Sequence, residues 1–193
     1  MKPQITVING SLGGENGNTG VLLRQLSSQL TSRASLRSLH LVEATPASSF
    51  AEVIEQSAGF IFGTGTYWDS WGSPLQKFLE EATEFEATQF WLGKPAAVIV
   101  TMHSVGGKEV LSRLQGVLST LGLLLPPMSG LVYSLATHLA LQTKQDAFQS
   151  DFWQLSDLGI IANNLMAAID SPKPEWKTWP VDTEDPKRPW LLE

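Results

Sequence analysis

Three short stretches of this sequence combine glycine with neutral hydrogen-bond donors or with aromatic rings. The first is GSLGGENGNTG, residues 10–20, with five glycines, two asparagines, a serine and a threonine and no lysine or arginine. The hydroxyls of Ser11 and Thr19, the amides of Asn16 and Asn18 and the N–H groups at glycines such as Gly17 are neutral donors suited to a phosphate, with a helix start just downstream. A tight turn would need only one glycine and a cap, so the surplus favours an anion cradle. Glu15, which would repel an anion, is expected to point to solvent. The second stretch, TGTYWDSWG (residues 64–72), places Tyr67, Trp68 and Trp71 between Gly65 and Gly72, where backbone can approach a flat ring and aromatic faces can wall it. Trp71 also suits the core or an interface, the usual place of tryptophan. The third, HSVGG (residues 103–107), offers His103, Ser104 and the amides of Val105, Gly106 and Gly107. There His103 reads equally as a proton donor and as an ordinary polar loop residue.

Other chemistries find no support. The absence of cysteine excludes disulfides, thiolate metal sites, iron-sulfur clusters and thiol nucleophiles. His40 and His138 have no partner at metal-ligand spacing, so no metal site is expected. Ser104, Ser129 and Ser134 lack an evident base, and no GxSxG elbow is present. The first loop matches neither the P-loop nor the GxGxxG fingerprint. Thirteen basic against nineteen acidic side chains, a net charge of −6, argue against nucleic acid or an anionic membrane as partner. No run of about 18 apolar residues is present and the N-terminus lacks a long apolar leader core, so a cytoplasmic protein is expected.

The elements that must position these stretches alternate. Residues 3–9 form a β-branched apolar run, followed by the glycine loop and then a helix from Asn18, capped by Asn18 or Thr19. Residues 34–42 read as a strand, 50–58 as a short helix and 59–64 as a strand. A helix opens at Ser73, with Pro74 next and Gln76 completing a capping-box pattern. Residues 94–102 are a strand, 107–122 a helix, 129–133 the last strand, and 141–170 a closing helical pattern. Alternating strands and helices imply a three-layer α/β/α sandwich, with a five-stranded parallel sheet that fits the flavodoxin-like order 2-1-3-4-5. The loops at 10–18, 64–73 and 102–107 all leave strand carboxyl ends, so they are expected to converge on one crevice. One domain over residues 1–171 is expected, followed by a tail, 172–193, with five prolines and three tryptophans. Such a tail suits a strap across the domain or a partner subunit.

The three stretches, in order, resemble those of the NAD(P)H-dependent FMN reductase family, within the flavodoxin-like flavoproteins. GSLGGENGNTGVLL is similar to that family's phosphate loop. Tyr67-Trp68 followed by Leu75-Gln76-Lys77-Phe78-Leu79 resembles its strand-3 signature, and KPAAVIVTMHSVGGKEVLSRLQGVLSTLG its fourth strand and loop. The resemblance implies non-covalent FMN, with its phosphate at Ser11, Asn16, Gly17, Asn18 and Thr19. Its ring would lie at Thr64, Gly65, Thr66, Tyr67 and Trp68, and its pyrimidine edge at His103, Ser104, Val105, Gly106 and Gly107. The sequence departs from the family at Gly13, where an arginine is frequent, at Gly65, where proline is usual, and at Asp69, where a small residue is common. The implied activity is hydride transfer from NADPH or NADH through FMN to a small acceptor such as a quinone or flavin, with no catalytic side chain. A homodimer or tetramer is implied as well. A flavodoxin-like one-electron carrier and a flavin-free binding module on the same fold are the alternative readings.

Overall fold

A computed structural model describes residues 2–43, 51–142 and 152–180. Strand β1 (Gln4–Asn9) buries Ile5, Val7 and Ile8, as a strand covered on both faces must. It pairs in parallel with β2 (Ser35–His40) on one side and with β3 (Gly59–Gly65) on the other. Beyond β3 lie β4 (Ala96–Met102) and β5 (Gly130–Ser134), both parallel, giving the order β2-β1-β3-β4-β5. The five-stranded parallel sheet expected from the sequence is therefore present.

Six α-helices connect and close the described strands: α1 (Asn18–Leu30), α2 (Ala51–Gln56), α3 (Ser73–Ala82), α4 (Gly107–Leu121), α5 (Leu135–Gln142) and α6 (Leu158–Asp170). Alternate side chains of the strands feed two cores. Phe60, Phe62, Val98 and Val100 pack with Leu75 and Phe78 of α3, Leu114 of α4 and the fully buried Trp91. Ile61, Ala97 and Ile99 turn the other way, to Leu23 and Leu26 of α1 and Leu165 of α6. Gly63 lets α1 seat directly on β3, because a Cβ there would stand 2.6 Å from Leu23 Cδ1. Each fully buried Leu or Phe contributes about 1.5–3 kcal/mol, so the layered core, rather than helix propensity, holds the loops in place.

Three local expectations are corrected. Helix α1 has Gly17 as its N-cap, with Asn18 and Thr19 inside the helix and no side-chain cap. Helix α3 likewise takes its N-cap one residue early, at Gly72, so the Ser73–Gln76 capping box does not form. Gly72 is held there by its N–H, which donates to the buried Thr64 Oγ1 at 3.0 Å. The Gln76 side chain instead accepts from Trp71 Nε1 at 2.7 Å and donates to Glu80 Oε1 at 2.8 Å. The closing pattern begins earlier than residue 141, at Leu135, and resumes at Leu158; residues 143–151 lie outside the described set. Phe50, where the sequence places the start of the second helix, and residues 181–193 of the tail also lie outside it. Residues 172–180 are without helix or strand, and Trp176 packs onto Gly93 while Trp179 Nε1 donates to Glu86 Oε1 at 3.4 Å.

Candidate functional site

The crossovers after β1 and β3 leave toward opposite faces of the sheet, α1 to one and α3 to the other, and so open a crevice at the carboxyl ends between them. Asn9, the last residue of β1, is fully buried and shapes the first loop. Its Oδ1 accepts from the Ser11 N–H at 3.1 Å and the Ser11 hydroxyl at 2.8 Å, and its Nδ2 donates to the Gly14 carbonyl at 2.7 Å. The chain then makes one 3-10 turn (Gly14–Asn16) and passes through an extended Gly17 into α1. Gly13 and Gly17 touch: a Cβ on either would lie 2.9 Å from the Cα of the other. The first helical bond of α1 runs from the Val21 N–H to the Gly17 carbonyl at 3.0 Å. The N–H groups of Asn18, Thr19 and Gly20 therefore have no acceptor within the helix and no side-chain cap, and carry the positive end of its dipole. Glu15 is exposed, as expected. Its carbonyl is gripped by the Arg24 guanidinium, the nearest cation along the chain.

The second loop is a short hairpin. Tyr67 and Ser70 exchange N–H to carbonyl bonds of 2.8 and 3.0 Å, leaving Trp68 and Asp69 as the two tip residues. Both are left-handed, with φ of 50° and 57°, the pattern of a type I′ turn. The Tyr67 ring folds back over Gly65, and its hydroxyl accepts the Leu12 N–H at 3.2 Å, which ties the second loop to the first. Trp71 supports the hairpin from behind. The Arg113 guanidinium lies 5.2 Å from the centre of its ring and donates to the Asp69 carbonyl at 3.1 Å. On the β4 side, Thr101 Oγ1 meets Thr19 Oγ1 at 2.7 Å and pins the start of α1 to the sheet. Gly106, with φ of 85°, is the N-cap of α4 and leaves room for the Asp69 carboxylate, which rests directly upon it.

The result is a cleft of about 660 Å³, within the range of small-molecule sites. Of the residues singled out by sequence, Ser11, Gly17, Asn18 and Thr19 line one end. Gly65, Thr66, Tyr67 and Trp68 line the middle, and His103, Ser104 and Val105 the other side. Four do not reach it. Asn16 sits in the 3-10 turn, Thr64 is buried beneath the hairpin with its hydroxyl on the Gly65 carbonyl, and Gly106 and Gly107 form the start of α4 behind the wall. Gly13, Asp69 and Met102 lie in the three loops expected to converge there and line the cleft without having been singled out as binding residues, and Thr101 lines it without having been foreseen. Thr101 ends a strand and carried no loop signal. Asn9 was missed for the same reason, although a lone asparagine ending an apolar strand before a glycine loop is a usable sign of loop anchoring. Among the described residues Asp69 is the one formally charged side chain on the wall, and no lysine or arginine lines it.

Thr66 Oγ1 is a buried polar atom without a hydrogen-bond partner, on the wall of this cleft. Such an orphan costs about 1–3 kcal/mol unless something fills the space beside it. A smaller cavity of about 210 Å³ adjoins the cleft through Asn18, Thr101 and Met102. There Tyr133 Oη and His138 Nδ1 are 3.0 Å apart, and burial raises the tyrosine pKa. A third cavity, about 420 Å³, lies at the far end of the sheet beneath Trp176 and Trp179, remote from all three loops. No group of three or more metal-ligating side chains occurs among the described residues, and none of their helices is long and apolar enough to cross a membrane.

Parallel sheet, strand order and a carboxyl-end cleft at the switch between β1 and β3 define a flavodoxin-like protein. The sequence profile of the NADPH-dependent FMN reductases matches residues 3–138, and the chain belongs to that family. Solved structures of the same fold include an NADH:FMN oxidoreductase in its apo form, 18% identical, with 89% of this chain and 92% of that one covered at a TM-score of 0.69. The NAD(P)H:(acceptor) oxidoreductase of Paracoccus denitrificans is 20% identical, with 87% and 96% covered at 0.58. A flavodoxin from the domain Archaea is 12% identical, with 87% and 99% covered at 0.61. No curated protein matches the sequence.

Proposed function

We propose that the cleft binds FMN non-covalently and that the protein is an NAD(P)H-dependent oxidoreductase delivering a hydride to a small acceptor such as a quinone or flavin. The observation that carries the reading is the uncapped first turn of α1, opening on a cleft that also holds the orphaned Thr66 hydroxyl. A phosphate dianion supplies the acceptors that the N–H groups of Asn18, Thr19 and Gly20 lack, and the crossing at Gly13 and Gly17 leaves backbone free to approach it. With FMN bound, the Thr66 hydroxyl would gain a hydrogen-bond partner and Tyr67 would line the space beside it. FMN, when bound, supplies two-electron chemistry: NAD(P)H, a proton and a quinone become NAD(P)+ and a hydroquinone.

The protein's own groups bind and orient. Asn9 fixes the phosphate loop, the Tyr67 hydroxyl couples that loop to the hairpin, and the Thr19–Thr101 bond couples it to β4. His103 lines the cleft and is exposed to solvent. The Ser11 hydroxyl is committed to Asn9, so its part is to shape the loop. A homodimer or tetramer accords with exposed apolar side chains such as Leu12, Val105 and Leu135. The test is an anaerobic titration of the FMN-loaded protein with NADH and with NADPH. Bleaching of the bound flavin by one equivalent of either nucleotide supports the reading; bound flavin that neither nucleotide bleaches contradicts the reductase assignment.

A further inference from the structure

The hairpin tip is occupied against its own backbone preference. A two-residue turn with both residues at positive φ favours Asn-Gly, Asp-Gly or Gly-Gly, because an ordinary Cβ crowds the backbone there. This chain uses Trp68 and Asp69, at φ of 50° and 57°. Three separate contacts hold the unfavourable turn: the Tyr67–Ser70 backbone pair, the Arg113 bond to the Asp69 carbonyl, and the Asp69 carboxylate lodged on the Cβ-less Gly106. Backbone strain over-determined in this way marks a functional position. Trp68 gains nothing for the fold in return, since its side chain is fully exposed, at 101% of its reference area, although it lines the cleft. Tyr67, its half-buried neighbour, folds inward over Gly65. The two aromatics thus divide the site into an inner and an outer level.

Resting on the FMN reading above, we infer that Trp68 is the stacking platform for the second substrate, a planar aromatic electron acceptor that is uncharged or cationic, and that Asp69 beside it selects against anionic acceptors. The indole presents a wide π-face to a ring entering from solvent, and the face attracts positive charge. Asp69 is the one formal charge among the described wall residues, so an anionic substituent on the acceptor meets repulsion at the mouth. Within the cleft Tyr67 and the N–H groups of α1 serve the cofactor, and the tip serves what comes after it.

The test compares wild type, the double variant Trp68→Asn/Asp69→Gly and the single variant Asp69→Asn, each loaded with FMN. The double variant carries the sequence that the turn prefers, so it is expected to fold with an equal or higher Tm. Its KM for 1,4-naphthoquinone is expected to rise about fivefold or more, a larger change than any in its Kd for FMN. For Asp69→Asn, kcat/KM for 1,4-naphthoquinone-2-sulfonate relative to the unsubstituted quinone is expected to rise about threefold. An unchanged quinone KM in the double variant, a parallel loss of FMN affinity, or an unaltered sulfonate ratio in Asp69→Asn overturns the inference while leaving the flavin reading intact. Failure of the wild type to bind FMN overturns that reading and this inference with it.

Discussion

At the scale of single residues, the site is held by polar atoms that face inward and advertised by one that has nothing to face. Thr66→Val keeps the shape of the side chain and removes the orphaned hydroxyl. The account predicts opposite effects on the two states of the protein: the FMN-free form gains about 1 kcal/mol of stability, and FMN Kd rises about fivefold. Thermal melts with and without FMN read both. Asn9→Ala acts differently, because it leaves the Gly14 carbonyl and the Ser11 hydroxyl without their partner. It is predicted to cost about 1–3 kcal/mol and to disorder the phosphate loop, measurable by urea denaturation and by loss of FMN quenching. The sequence made the donors of the glycine loop legible, since glycine and small polar residues are visible as types. It did not reveal which of those donors are already spent. Ser11 is engaged by Asn9 and Thr64 by Gly72, local pairings that depend on how each loop leaves its strand and that residue types alone do not show.

At the scale of elements, strands were easier to read than helix starts. Unbroken apolar runs such as AAVIVTM can satisfy only a strand covered on both faces, and β4 and β3 match them closely. Helix caps were misread at α1 and α3 because in each a glycine one position earlier took the cap, Gly17 against Gly13 and Gly72 bonded to Thr64. That same departure leaves α1 open at its N-terminus, which is what an anion requires. Asn18→Asp tests this directly. A carboxylate in the first turn favours the helix dipole and should stabilise the FMN-free protein by about 0.5 kcal/mol. It should also repel the phosphate and weaken FMN binding about tenfold or more. A variant that binds FMN as well as wild type contradicts placement of the phosphate at this helix end.

At the scale of the whole molecule, the three-loop cleft lies at the carboxyl end of the sheet, and the opposite end carries the tail and the cavity beneath Trp176 and Trp179. Lys94 lies at that opposite end, donating to the carbonyls of Ile54 and Glu55 at 3.0 and 2.9 Å. Burial first, and Lys173 of the tail second, lower its pKa to about 8, against a smaller opposing effect of Glu55. Because the folded pKa lies below the unfolded value of 10.5, the unfolded chain holds more protons between about pH 8 and 10.5, and this group's contribution to stability improves as pH rises through that window. Lys173→Ala removes part of the repulsion. It is predicted to raise Tm below pH 8, by the equivalent of no more than about 1 kcal/mol given the partial exposure of Lys94, with the gain vanishing by pH 10. A gain that persists at pH 10 contradicts the coupling between tail and sheet. The tail's composition signalled contact with something; its partner Gly93 became visible only once β4 and α4 were in place.

The central claim is that the three-loop cleft is a flavin site, and its most direct test is an equilibrium titration of FMN followed by flavin fluorescence and absorption. The account predicts saturable, one-to-one binding with a Kd of about 1 µM or tighter, weakened in Asn18→Asp and Thr66→Val. Flavin that stays free at concentrations of about 100 µM, or binding indifferent to both substitutions, would contradict it.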